Sequence, residues 1–169
     1  IGIAIMYSLY TGVMQGRVET EKAEHPLIPL TSLIILVTGL LFSFTHLHYP
    51  LHAFNAMNNL GGSWMSREIL AEIILLIFML AWYITIRYGS NKKLQKIFEI
   101  LVILSGLVLL YFMIRTYMLP SIPELNHPGL PVSFLLTSIL SGSSIIYLFS
   151  VNKRPSMAFK FKIIASLAF

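Results

Sequence analysis

Polar residues are so sparse along this chain that the long intervals between them set the first structural expectation. Unbroken apolar runs cover 27–44, 69–86, 97–113 and 130–151, and shorter ones cover 1–14 and 157–169. A helix needs about 20 apolar residues to cross the hydrocarbon of a bilayer, with a range of about 17 to 25. Within lipid the backbone must satisfy its own polar groups; unbroken runs do so as helices, whereas barrel strands would alternate. The pattern predicts an all-α, polytopic transmembrane helix bundle forming a single domain over 1–169. Its approximate helices are 1–14, 27–48, 64–88, 93–118, 129–151 and 156–169, the first and last truncated. Because the sequence begins and stops inside apolar stretches, it is expected to be a piece of a longer membrane protein.

Composition strengthens that picture. Of the 169 residues, 56% are hydrophobic and only 11% charged, against roughly 25% charged in soluble domains, and the mean hydropathy is +0.78. The net charge of +5 comes from 12 Lys and Arg against 7 acids, all of them Glu. Such a surplus could mark a nucleic-acid surface, but here it falls in the connections between apolar runs and reads as a topology signal. Arg17 and Lys22 lie in the first connection, Arg87, Lys92, Lys93 and Lys96 in the third, and Lys153, Arg154, Lys160 and Lys162 in the fifth. The second and fourth hold only Arg67 and Arg115. By the positive-inside rule 15–26, 88–96 and 152–162 are cytoplasmic, and 50–64 and 118–128 face outward. Tyr83, Tyr88, Trp64 and Tyr117 then fit interfacial aromatic belts.

The absence of Cys removes thiolate-held iron–sulfur clusters, thiolate zinc sites and disulfides. Gly-rich nucleotide loops are missing as well. Gly142 with Ser138, Ser141, Ser143 and Ser144 makes a small-residue face suited to close helix packing. Bis-histidine haem needs imidazoles on facing helices, yet His25, His48, His52 and His127 stand beside prolines and only His46 ends a spanning run. A zinc site from His46, His48 and His52 is equally poor, since i, i+2 spacing turns the first two apart on a helix.

The polar residues gather at the outward face: His46, His48 and His52, then Asn55, Asn58 and Asn59, then Ser63, Trp64, Ser66, Arg67 and Glu68, with Arg115 and Tyr117 closing a later helix. Ser63 or Ser66 suits a helix N-cap and Glu68 the positive end of the helix dipole. Glu72 lies one turn further in, about 6 Å deeper, where a carboxyl requires a partner such as Arg67, Arg115 or a His, or a proton. The stacked pair Glu68 and Glu72 would also serve as a proton exit. Oxidising a quinol requires removal of two protons as the electrons leave, and a His titrates in the range that transfer needs. An amphipathic quinol at a lipid-accessible edge fits this set, with His46 as the base. Two other readings are open: a secondary transporter, which would favour helices broken at mid-membrane, and a b-type cytochrome membrane subunit.

The stretch His46-Leu47-His48-Tyr49-Pro50-Leu51-His52-Ala53-Phe54-Asn55, followed by Asn58, Leu60-Gly61, Ser63 and Ser66-Arg67-Glu68-Ile69, resembles the anchor subunit of bacterial dimethyl sulfoxide reductase. That family's pattern runs H-L-G-x-P, then A-(F/Y)-N, then S-x-x-S-x-E. Met113-Ile114-Arg115-Thr116-Tyr117 is similar to the family's M-x-R-x-Y. Two positions depart: His48 replaces a Gly, and His52 stands where Arg or another polar residue is common. The resemblance implies a fragment of a bundle of about eight helices in the bacterial cytoplasmic membrane. It implies a subunit with no haem, iron–sulfur cluster or metal of its own. Such a subunit binds menaquinol from the quinone pool and passes electrons to an iron–sulfur subunit that feeds a molybdopterin catalytic subunit. By motif position His46 is similar to the family's quinol-site histidine, and Glu68, Arg115 and Tyr117 fall on family motif positions; with the residue reading, the expected site is His46, Glu68 and Glu72 for proton transfer and His46, Arg67, Arg115 and Tyr117 around the quinol.

Overall fold

The computed structural model describes residues 27–45, 55, 58–89, 91–150 and 155–168. Among them the long elements are all helices: α1 (Leu27–Thr45), α2 (Trp64–Tyr88), α3 (Lys92–Tyr117), α4 (Gly129–Ser150) and α5 (Pro155–Ala168), with no strand. Three are long and apolar enough to cross a membrane: Trp64–Tyr88, Lys92–Tyr117 and Gly129–Phe149. Leu27–Phe42 is a shorter apolar helix. The segment expected as a helix over 1–14, like His46, His48 and His52, lies outside the described residues.

The helix ends follow local chemistry. Of the two candidate caps for α2, Ser63 takes the position, with φ −113° and ψ 124°, and its hydroxyl accepts from Ser66 N at 3.3 Å. Asn91 caps α3, its Oδ1 accepting from Lys93 N at 3.0 Å and Leu94 N at 3.3 Å. Between these helices Gly89 donates to Thr85 O, and a Cβ at Gly89 would come within 2.6 Å of that carbonyl oxygen. Only glycine fits so close an approach. Gln95 Nε2 then donates to Thr85 O at 3.0 Å and Gly89 O at 3.1 Å, tying the two helices into an antiparallel hairpin. Pro29 and Pro131 sit in the first turns of α1 and α4, where no intrahelical N–H is lost.

Ala71, Leu75, Met79 and Trp82 of α2 are buried at helical spacing, and so are Val102, Ser105, Gly106, Leu109 and Leu110 of α3. These faces form the main seam, and the core extends to Ile28 of α1, Ile146 of α4 and Phe161 of α5. The α5 helix packs along α4, whereas α3 meets α4 only narrowly. Gly142 and Ser143 are buried and Ser141 is exposed. The Ser143 hydroxyl donates to Ile139 O at 2.7 Å and that of Ser144 to Leu140 O at 2.7 Å. Such back-bonding to the preceding turn lets hydroxyls sit in an apolar helix without other partners. Outside the seam Ile77, Leu104, Val108 and Leu135 are exposed, a surface that water would penalise and lipid tails accept.

Candidate functional site

The polar cluster forms where α2 begins and α3 ends. Trp64, in the first turn of α2, is its centre. The guanidinium carbon of Arg67 lies 4.4 Å from the Trp64 ring centroid and that of Arg115 lies 4.8 Å away. The same indole meets Tyr111 edge-on at 6.2 Å and Phe112 at 6.3 Å. Two cations against one indole is an arrangement that ring electrostatics favour at each contact. It brings Arg67 and Arg115 to one place although no ion pair joins either to a carboxylate among the described residues.

Arg67 has a second task. Its Nε donates to Leu60 O at 2.8 Å and its Nη2 to Gly61 O, so it holds the preceding loop down on the helix. The loop is closed further by Asn59, whose carbonyl accepts from Ser63 N at 3.0 Å and whose Oδ1 accepts from Gly62 N at 3.1 Å. Arg115 is exposed and has no such duty: among the described residues the Trp64 ring is its partner.

The carboxyls are arranged differently. Successive helical residues are turned by about 100°, so Glu68 and Glu72 lie roughly 100° and 140° around α2 from Arg67. Both are half-buried. Glu68 faces the Thr116 side chain of α3, whose hydroxyl donates to Phe112 O at 2.9 Å. Glu72 interacts electrostatically with Glu68, about 6 Å away along the axis. Trp64 and Glu68, four residues apart, share a face of α2, so the carboxyl pair lies beside the Arg67–Trp64–Arg115 stack, and among the described residues no ion pair joins Arg67 to Glu72. Tyr117 meets α4, its ring 6.0 Å from that of Phe134.

A cleft of about 350 Å³ opens beside the stack, between α2 and α3. Arg67 and Leu60 stand at one end and Phe78 and Leu101 at the other, and its walls are almost wholly hydrocarbon. Among the described residues, no three His, Cys, Asp or Glu come together as metal ligands would.

The sequence singled out Arg67, Glu68, Glu72, Arg115 and Tyr117. It placed Trp64 at the outward face and in an aromatic belt without a role in the site, and gave none to Thr116. A Trp three residues before an Arg on a helix is the local signal that identifies the first stack, but the arrival of Arg115 is a tertiary event. Glu99 was also passed over. It is almost fully buried in α3, with its Oε2 3.1 Å from Lys96 Nζ. The Lys–Glu i, i+3 spacing in a span otherwise poor in charge is its signal.

A match to the family described as DMSO reductase anchor subunit (DmsC) extends over residues 1–169. The protein is 36% identical over 143 residues to the C subunit of the anaerobic dimethyl sulfoxide reductase of Haemophilus influenzae, an alignment covering 82% of this sequence and 50% of that protein. Against the corresponding C subunit of Escherichia coli K12 the identity is 24% over 143 residues, covering 83% and 50%. Against the E. coli anaerobic dimethyl sulfoxide reductase subunit YnfH it is 28% over 110 residues, covering 64% and 39%. The sequence spans about half the length of the curated relatives it matches. No solved structure matches it.

Proposed function

The chain belongs to the family of dimethyl sulfoxide reductase anchor subunits, and on that premise we propose that this multi-pass membrane protein binds and oxidises menaquinol at the Trp64 end of the α2–α3 hairpin. The observation that carries the reading is the convergence there of Trp64, Arg67, Glu68, Arg115 and Thr116 beside an apolar cleft. Ionisable groups at membrane depth are costly and mark functional positions more often than packing ones.

In this mechanism each quinol loses two hydroxyl protons and two electrons and leaves as the quinone. His46 takes the first proton as general base, and Glu68 and Glu72, stacked one turn apart, relay protons towards the aqueous face. Arg115, with its guanidinium held on Trp64 and no carboxylate to neutralise it among the described residues, binds the quinol oxygens. Arg67 keeps the loop closed over the site. The electrons pass to an iron–sulfur partner subunit and on to a molybdopterin catalytic subunit, and the anchor itself carries no haem, cluster or metal. The site faces outward from the bacterial cytoplasmic membrane, as the distribution of Lys and Arg favours.

The test uses the assembled complex. His46→Ala should lower quinol-dependent reduction by a factor on the order of 10² or more, the scale of a positioned acid–base group. Reduction driven by an artificial donor that feeds the partner subunits directly should persist. Near-normal quinol oxidation by that variant would remove His46 from the mechanism, and a stoichiometric b-type Soret band in the isolated subunit would overturn the haem-free assignment.

A further inference from the structure

We propose that the cleft between α2 and α3 is the seat of the quinol's polyprenyl tail, an inference that rests on the quinol-oxidising reading and adds to it where the hydrocarbon part of the substrate lies. The cleft runs beside the polar stack, because Arg67 belongs to both. From Arg67 to Phe78 it follows α2 for 11 residues, about 16 Å at 1.5 Å per residue. It is therefore an elongated slot that starts at the helix end and descends into the apolar span.

The slot is apolar along its length: Ile74, Phe78, Leu101, Leu104 and Val108 supply aliphatic and aromatic surface, and Arg67 stands at one end with its guanidinium on the Leu60 and Gly61 carbonyls and the Trp64 ring. Ser105 is the other polar residue on the wall, and its hydroxyl is turned to Val102 O at 3.1 Å, so it offers no donor to an occupant. An occupant matching this profile is a hydrocarbon chain whose polar end lies outside the slot, at the adjoining Arg67–Trp64–Arg115 stack. Ile74, Leu104 and Val108 are 38%, 54% and 47% exposed, so the slot opens sideways, and a tail can enter from the lipid without the two helices separating.

The test compares two quinols in the assembled complex in liposomes: menaquinol with its full polyprenyl tail and a naphthoquinol with no tail. Leu104→Trp and Ile74→Trp fill the slot from opposite walls, and Leu104→Ala, which introduces no clash, removes part of one wall. Activity with the artificial donor verifies that each variant assembles. The Trp variants should raise the apparent KM for the long-tailed quinol on the order of tenfold, equivalent to about 1.4 kcal/mol, and leave the tail-less quinol unchanged; Leu104→Ala should shift it in the same direction by less. Equal KM values for parent and variants with the long-tailed quinol would overturn the tail assignment, as would equal shifts with both quinols. Loss of a co-purifying phospholipid from the Trp variants, with both quinol KM values unmoved, would give the slot to an acyl tail instead and overturn it too. If the parent complex oxidises neither quinol, the underlying function fails and the tail assignment falls with it; if the parent oxidises both and only the variants fail to discriminate, the tail assignment alone fails.

Discussion

The two ends of the α2–α3 hairpin use the same kinds of residue in opposite ways. At the turn, polar groups answer one another: Gln95 bonds the Thr85 and Gly89 carbonyls, Asn91 caps α3, and Lys96 reaches Glu99. At the far end, Arg115 has an aromatic face in place of a carboxylate, and Glu68 and Glu72 meet a hydroxyl and each other rather than a cation. The turn end is tied together by these bonds, although Glu99 Oε1 is buried with no hydrogen-bond partner among the described residues. The Trp64 end holds both signs of charge within a turn or two of each other yet leaves them unneutralised among the described residues, the condition expected of a site whose missing partner is a substrate.

Exchanging chemistry between the ends gives the largest expected effect. Glu68→Gln should cut quinol-dependent turnover on the order of 10², roughly 2.7 kcal/mol at 1.36 kcal/mol per decade, while Glu99→Gln leaves turnover near the parent value. Turnover that responds to Glu99 and ignores Glu68 would invert the comparison.

Stability should show the reverse preference. Lys96→Met strips the cation from a buried carboxylate, whose loss of compensation costs about 2 kcal/mol once the partial exposure of Lys96 is allowed for. A thermal melt of the lipid-embedded complex should move down, with quinol kinetics intact; an unchanged Tm would mean that the pair does not lock the turn end.

Trp64→Leu removes the surface on which both guanidinium groups rest. At about 0.5 to 1 kcal/mol per exposed cation–π contact, it should raise the quinol KM several-fold, leave artificial-donor activity alone, and be partly rescued by Trp64→Tyr. Smallest of all, Asn91→Ala should cost about 1 kcal/mol through loss of the α3 cap, visible as a slightly lower Tm and in no kinetic constant.

Much of the hairpin was legible before its structure. Ser63 and Asn91 are residue types that cap helices, Gly89 breaks the helical pattern where the turn falls, and the spans announce themselves by length. The residues of the site were legible by type as well: an Arg, a Glu or a Tyr in a sequence with 11% charge demands a reason. Their grouping was not. Arg67 and Glu68 are neighbours in sequence but point to different sides of α2, and Arg115 and Tyr117, two residues apart, turn to Trp64 and to Phe134 respectively. Glu99 was hidden for the same reason. Its position just past a Lys-rich connection suggested nothing about whether it faced lipid, water or α2.

By itself the sequence determined that this protein is built from helices long and apolar enough to cross a membrane, with Trp64, Arg67, Glu68 and Arg115 near helix ends. Those properties are local, because lipid penalises an unsatisfied backbone group or an exposed charge whatever the rest of the fold does. Only the tertiary structure decided which side of each helix meets which neighbour. A soluble helix advertises its inner face by an apolar stripe, but α2 and α3 are apolar nearly all round, so no such stripe exists to read. Their rotation is set by the fit of Ala71, Leu75, Met79 and Trp82 against Val102, Gly106 and Leu109. That fit carries Arg115 onto Trp64, turns Glu68 to Thr116, and leaves between the helices the cleft that runs from Arg67 into the membrane.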